Sequence, residues 1–452
     1  MAADTLVSFK AYDIRGRIPD QLNPELARQI GRSFAAVYGL KKVVVGRDIR
    51  LSSEELGAAL AEGLQQMGAD VIDLGLCGTE EIYHAAFSME GDGVDGGVIV
   101  TASHNPADYN GMKLVVKGAR PVTGESGLKE MARLIAAGNL PGPAASPGRL
   151  LRHDNKGNYI RHLLGYIEPR ELAPLKIVVN SGNGCAGAIV DLLAKHLPFQ
   201  FVRLHHEPDG TFPHGVPNPL LPENREETTR AVREHHADLG IAWDGDFDRC
   251  FFWDETGRFI EGYYIVGLLA REMLVKEPGG KILYDPRLTW NTEEQVQEAG
   301  GIPIMTRTGH AFIKERMRAE NGVYGGEMSA HHYFREFGYC DSGMIPWLLV
   351  AALLSREGRR LSTLVADRMA AFPVSGEINS KVEDPDGVIA GILAKYQDGA
   401  KDYTDGLSVA YPDYRFNIRK SNTEPLLRLN VETRGDAQLM REKTEELLSL
   451  IR

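Results

Sequence analysis

Cysteine is scarce in this chain. The four cysteines, Cys77, Cys185, Cys250 and Cys340, are scattered widely through 452 residues. No pair has the spacing of a metal or redox motif, and a chain of this length needs no disulfide staples. Reduced thiols in a cytoplasm are therefore expected. Long apolar runs are missing too. The run from Trp347 to Leu354 is far too short to span a bilayer. The first ten residues, Met1 to Lys10, lack a basic segment followed by an apolar core, so no signal peptide is expected. Positive charge is in deficit: 51 Lys and Arg against 62 Asp and Glu leave a net charge of -11. Wholesale binding to nucleic acid or to an anionic membrane is excluded on that balance. An anionic substrate would need a local cluster of Arg, Lys and backbone N–H groups.

What is present is an ordinary soluble balance, 43% hydrophobic and 25% charged. The length allows about three or four domains. The chain also repeats an order of elements. Lys41-Lys-Val-Val-Val-Gly-Arg-Asp48 reads as a buried strand and loop, followed by helical spacing from Ser53 to Met67 capped by Ser52 or Ser53. Val71 to Gly75 and Gly97 to Thr101 are the next strands. The order recurs with Lys176 to Gly182, Phe201 to Leu204 and Leu239 to Asp244, and again with Lys281 to Asp285, Ile304 to Arg307 and Val323 to Glu327. Strands alternating with helices imply crossover units and mixed or parallel sheets. The last part differs. Tyr414 to Arg419 and Pro425 to Glu432 alternate apolar and polar residues, as a half-buried antiparallel sheet does, and Leu439 to Ile451 is an amphipathic helix.

Each repeat's third strand runs into an unusual polar loop. The first is Thr101-Ala-Ser-His-Asn-Pro106, where Ser103 can serve as nucleophile or phosphate carrier beside His104 and Asn105. The second, Asp244-Gly-Asp-Phe-Asp-Arg249, interleaves three carboxylates directly after a buried strand. Such a set of hard oxygen ligands suits Mg²⁺, and without a cation the charges would repel. A calcium-binding helix–loop–helix is excluded: Glu255 falls at its twelfth position, but Arg249 stands where glycine is needed at the sixth. The third loop, Gly326-Glu-Met-Ser-Ala-His331, is expected to place Glu, Ser and His on one side of an extended segment, suited to sugar hydroxyls. His331 and His332 point to opposite faces and cannot share a zinc ion. A fourth loop, Arg419-Lys-Ser-Asn-Thr-Glu-Pro425, joins two strands of the last part and offers a phosphate cradle. The glycine-rich stretches Ser181 to Gly187 and Gly93 to Gly97 match no nucleotide fingerprint and read as turns and helix entries. Ligands bind beyond the carboxyl ends of strands in α/β sheets, so the loops are expected to converge on one cleft.

These four loops, in this order and spacing, resemble those of the α-D-phosphohexomutases, in particular the bacterial phosphomannomutase/phosphoglucomutase branch. The resemblance runs from Tyr12-Asp-Ile-Arg-Gly16 to the final helix. It implies three similar α/β modules with mixed sheets plus a C-terminal α+β domain with an antiparallel sheet, around a central cleft. The domains are expected at residues 1–148, 149–252, 253–360 and 361–452. The resemblance further implies that Ser103 carries a phosphate and that Asp244, Asp246, Asp248 and the phosphoseryl group hold Mg²⁺. Glu327 and Ser329 would hold sugar hydroxyls, and Arg419, Ser421, Asn422 and Thr423 the distal phosphate. Tyr12, Arg15, His104, Lys113, Arg249, Arg287, His310 and His331 would complete the site; Lys113 and His104 are the candidate bases, and the resemblance favours Lys113. The activity implied is reversible interconversion of mannose or glucose 1-phosphate with the 6-phosphates. It would pass through a hexose 1,6-bisphosphate that also serves as activator, in a cytoplasmic monomer. Lys420 and the Ala330-His331-His332 run depart from many relatives without removing a contact residue. A phosphatase and a non-catalytic phosphosugar-binding protein are the other readings. The sugar loop and second cradle count against the first; intact Ser103 and the Asp trio count against the second.

Overall fold

The computed structural model describes residues 7–420 and 426–452. The chain forms two compact units, Met1–Phe259 with Glu336–Glu357, and Ile260–Arg335 with Gly358–Arg452.

The first unit holds two mixed sheets. One runs in the order Ile14–Arg17, Tyr109–Val116, Gly96–Val100, Lys42–Arg47, Asp70–Leu76, Leu150–Arg152. Its inner strands are parallel and valine-rich because helices cover the sheet and leave no solvated face. Tyr109–Val116 runs antiparallel to Gly96–Val100 and brings Lys113 opposite Ile99. The helix Ser53–Gln66 begins after Ser52, but no side chain caps it. Ser52 instead accepts from Asn110, and Ser53 donates to Asp48, because both hydroxyls are drawn toward buried polar partners. In the other sheet, Cys250–Trp253 is antiparallel to Leu239–Trp243, which runs parallel to Lys176–Asn180, itself parallel to Gln200–Leu204. The helix Met344–Glu357 belongs to this unit, where Trp347 packs against Phe199 and Phe201.

The second unit repeats the scheme once. Lys281–Tyr284 is parallel to Ile302–Met305 and to Tyr324–Gly326, and His332–Phe334 returns antiparallel. Its remaining sheet is wholly antiparallel, in the order Ile378–Lys381, Leu426–Thr433, Tyr414–Lys420, Leu407–Ala410, Ala400–Asp402. One face of that sheet buries Leu407, Val409, Phe416, Ile418, Leu427, Leu429 and Val431 beneath the helix Ala437–Ile451. Asp436 caps this helix by accepting from the N–H groups of Gln438 and Leu439. Three α/β modules with mixed sheets and a C-terminal antiparallel domain are thus present, as the repeat and the resemblance imply.

In every α/β module the polar loop leaves a buried parallel strand and returns on an antiparallel neighbour. Val100 leads into the loop that Tyr109 ends, Trp243 pairs with Cys250 across the second loop, and Gly326 pairs with His332 across the third. Among the described residues, no helix is long and apolar enough to cross a membrane.

Candidate active site

Ser103 lies in the left-handed region, with φ of 50°. A serine there is strained and needs its surroundings to hold it. The result is that its hydroxyl donates to Asp244 Oδ2 at 2.7 Å. Asp244, Asp246 and Asp248 are all buried, and one oxygen from each lies within 4.8 Å of the others. Burial pushes the Asp244 carboxyl up; Arg249 opposes this, and the charges of Asp248 and Asp246 add to it.

Two cations sit in the trio. Lys113 Nζ donates to Asp246 Oδ2 at 2.7 Å and Asp248 Oδ2 at 2.6 Å. Arg249 donates to Asp244 Oδ2 through Nε at 2.9 Å and through a terminal nitrogen at 2.6 Å. Burial works against the Lys113 charge, but Asp246 and Asp248 outweigh it and raise its pKa. Even so, the Oδ1 atoms of Asp244 and Asp246 are buried with no hydrogen-bond partner. Orphaned carboxylate oxygens at one point are what a hard divalent cation satisfies, so the residues present fit Mg²⁺.

His104 Nδ1 lies 3.1 Å from Ser103 Oγ and also faces an Arg249 N–H. Arginine can only donate, so Nδ1 is the acceptor and the ring proton sits on Nε2. Burial, then the charges of Arg249 and Arg15, push the imidazole pKa well below its ordinary value. Arg15 donates to Asn105 Oδ1 at 2.6 Å and to Asp13 at 2.5 Å, joining the serine loop from the strand Ile14–Arg17. Tyr12, half-buried, precedes that strand.

The second unit gathers another cluster. The segment from Glu327 to His331 is a turn, not the extended run expected. The chain must reverse between the paired residues Gly326 and His332, and it does so with Ala330 at φ 70° and Glu327 N–H donating to His331 O. Glu327 and His331 thereby become neighbours, with Nδ1 3.1 Å from the carboxylate. Burial alone would raise the Glu327 pKa, but His331, Arg287 and the Tyr333 hydroxyl overcome it and hold the group well below the carboxylate range. Arg287 donates to Ser329 Oγ at 3.1 Å and pairs with Glu327 at 3.5 Å. His310 opens the helix His310–Glu320, beside Gly309 N–H, which donates to Glu327 at 3.0 Å. His332 is turned away and fully buried, its Nδ1 2.6 Å from the Tyr324 hydroxyl. Arg419 is the penultimate residue of the strand Tyr414–Lys420, while Ser421, Asn422 and Thr423 lie outside the described residues.

Sequence reasoning missed several supporting groups. Thr79 donates its hydroxyl to Asp246 Oδ2 and its N–H to Asp246 O. Asp285 holds Arg287 through two hydrogen bonds at 2.8 and 2.9 Å. Glu377 takes the charges of Arg419 at 3.0 Å, Arg428 at 3.2 Å and Arg287 at 3.5 Å. The Thr79–Asp246 contact spans 167 positions and the Glu377–Arg287 contact 90, so no local motif reveals them, whereas Asp285 stands only two residues before Arg287.

Four domain models of phosphoglucomutase/phosphomannomutase match the chain: alpha/beta/alpha domain I over residues 6–139, domain II over 157–257, domain III over 261–372 and the C-terminal domain over 377–449. "Phosphohexose mutases" of Xanthomonas campestris are 60% identical over 450 residues, covering 99% of this chain and 100% of theirs. The chain belongs to the phosphoglucomutase/phosphomannomutase family. A phosphomannomutase of Salmonella montevideo is 58% identical, with 99% of each chain covered. The crystal structure of a phosphoglucomutase/phosphomannomutase family protein from Burkholderia thailandensis superposes with a TM-score of 0.87 at 33% identity, covering 99% of this chain and 98% of that one. The protein is therefore an isomerase of the phosphohexomutase type, and its activity is reversible phosphosugar mutation.

Proposed function

We propose that the enzyme interconverts mannose or glucose 1-phosphate and the 6-phosphates through a phosphorylated Ser103 and a hexose 1,6-bisphosphate. The observation that carries this reading is the Ser103 hydroxyl held against Asp244 inside a buried carboxylate trio. Phosphoryl transfer breaks the bond between phosphorus and Ser103 Oγ and forms one to a free sugar hydroxyl, whose proton must leave. The bisphosphate then presents its other phosphate, which returns to Ser103. The net result is isomerisation, and added bisphosphate acts as activator by charging the serine.

Asp244, Asp246, Asp248 and the phosphoseryl group would hold Mg²⁺, which when bound neutralises charge on the transferring phosphoryl. Arg249 lies between Asp244 and His104 and can contact the phosphoryl oxygens. Neutral His104, with Nδ1 facing Ser103 Oγ, is placed to move the proton at that oxygen. Lys113, sandwiched between two carboxylates, serves as a cation in this arrangement rather than as the base. Arg15 steadies the loop through Asn105. In the second unit Glu327 and Ser329 would bind sugar hydroxyls, with Arg287, His310 and His331 beside them, and Arg419, Ser421, Asn422 and Thr423 the non-reacting phosphate; Tyr12, of the first unit, is a further proposed substrate contact.

A sugar that must bind in two opposite orientations exchanges its 3- and 4-hydroxyls, and one carboxylate–serine pair serves both arrangements. The 2-hydroxyl has no such counterpart, so both epimers at carbon 2 fit. By resemblance, Asn422 in Ser-Asn-Thr, as opposed to the Ser-Gly-Thr of phosphoglucosamine mutases, argues against glucosamine phosphate as the main substrate. Four free buried cysteines and net charge -11 fit a cytoplasmic protein whose partners are phosphohexoses, not nucleic acid or membrane; a monomer is the proposed state. A coupled mutase assay with and without catalytic hexose bisphosphate tests the reading. Bisphosphate-stimulated turnover supports it; release of inorganic phosphate as the main product points to a phosphatase.

A further inference from the structure

Arg50 is 2% exposed and lies outside every motif considered so far. Its guanidinium donates to four backbone carbonyls of one loop: Ser103 O at 2.9 Å, Asn105 O at 2.6 Å, Pro106 O at 2.7 Å and Tyr109 O at 3.0 Å. The charge is balanced by Asp48, 3.4 Å from Nε. Asp48 reaches the same loop by a second route. It accepts from Thr101 Oγ1 at 2.7 Å, and Thr101 Oγ1 accepts from Ser103 N–H at 2.9 Å. The peptide groups on both sides of the Ser103 Cα are therefore tied to one buried ion pair. That pair comes from the segment after the strand Lys42–Arg47, not from the serine loop itself.

Two features make this more than ordinary loop packing. Ser103 holds a φ of 50°, a conformation a free serine abandons. Both terminal nitrogens of the buried guanidinium are also spent on carbonyls of this one loop, and burying that charge is unfavourable unless it is paired and hydrogen-bonded. We infer that Arg50 is a positioning residue for phosphoryl transfer. It holds Ser103 in the left-handed conformation that aims Oγ at Asp244, and it does so without touching substrate. The inference rests on Ser103 being the phosphate carrier.

A lysine at this position keeps the buried charge opposite Asp48 but has one nitrogen, which cannot serve four carbonyls in a fork geometry. The test compares wild type, Arg50→Lys and Ser103→Ala, each followed by circular dichroism, steady-state kinetics on glucose 1-phosphate, and Ser103 phosphorylation by labelled glucose 1,6-bisphosphate. Arg50→Lys is expected to fold and to keep KM within about threefold. Its kcat and the rate of serine phosphorylation should fall together by at least about tenfold, the scale of a misplaced reacting group. Wild-type kcat in Arg50→Lys, a loss confined to KM, or failure of that variant to fold would each overturn the positioning role. Ser103→Ala should take up no label. If it takes up label at the wild-type level, the carrier reading fails instead, whatever Arg50→Lys does.

Discussion

The hydroxyl of Ser103 donates to Asp244 across 2.7 Å, although 141 positions separate the two residues in the chain. The contact is possible because residue 245 is glycine. A Cβ there would stand 2.6 Å from the Ser103 carbonyl oxygen. Gly245→Ala should therefore push the two loops apart, lower kcat by at least about tenfold and cost about 1–3 kcal/mol of stability. Kinetics and denaturant unfolding of the variant check both. Unchanged turnover would show that the apposition is incidental.

Ser103→Ala should lower kcat by at least about a hundredfold while leaving the fold intact. Residual turnover could come from water or another group, so the comparison is of rates with and without bisphosphate. Bisphosphate stimulation that persists undiminished in the variant counts against a serine carrier.

Asp246→Asn replaces a charged oxygen ligand by a neutral amide in a site where Asp246 Oδ1 is buried without a hydrogen-bond partner. Mg²⁺ affinity, measured by titration calorimetry, should fall at least about tenfold, and turnover with it. Full wild-type activity in excess chelator would contradict a metal role for the trio.

Glu377 supplies a pH signature in the second unit. Burial alone would raise its pKa, but Arg287, Arg419 and Arg428 hold it down to about 2 from the ordinary 4.5. Its folded value lies below its unfolded value. The stability it contributes is thus fully present above about pH 4.5 and is lost as pH falls toward about 2. Glu377→Gln should flatten the acid loss of stability in that window and leave the slope near neutrality unchanged. Parallel unfolding profiles for wild type and variant would refute the assignment.

Substrate range follows from the shared sugar contacts. Mannose and glucose 1-phosphates should have kcat/KM values within about a hundredfold of each other. A buried polar group dedicated to one 2-hydroxyl would instead separate them by ~10⁴-fold.

Much of this was legible in the chain itself. Buried strands such as Leu239–Trp243 announce themselves by apolar runs, and each site loop begins where such a run stops. The antiparallel strand carrying Lys113 was harder to read. Tyr109–Val116 is buried through most of its length and lacks the alternation that marks a solvated strand. The third loop was misread because a one-residue alternation of Glu327, Ser329 and His331 looks extended until the pairing of Gly326 with His332 forces a turn. Asp285, Glu377 and Thr79 were invisible for other reasons. Glu377 and Thr79 act on residues supplied by distant parts of the chain, and sequence distance carries no trace of that contact; Asp285 stands two residues before Arg287 but in no recognised motif.

The most direct test is where phosphate sits on the working enzyme. Purified active protein, charged with labelled glucose 1,6-bisphosphate, would be digested and its phosphopeptides mapped by mass spectrometry. Label on the peptide containing Ser103, discharged on addition of glucose 1-phosphate at a rate matching turnover, is the expected result. Label on any other residue, or an active fraction that never carries label, would contradict a phosphoserine mechanism at this site.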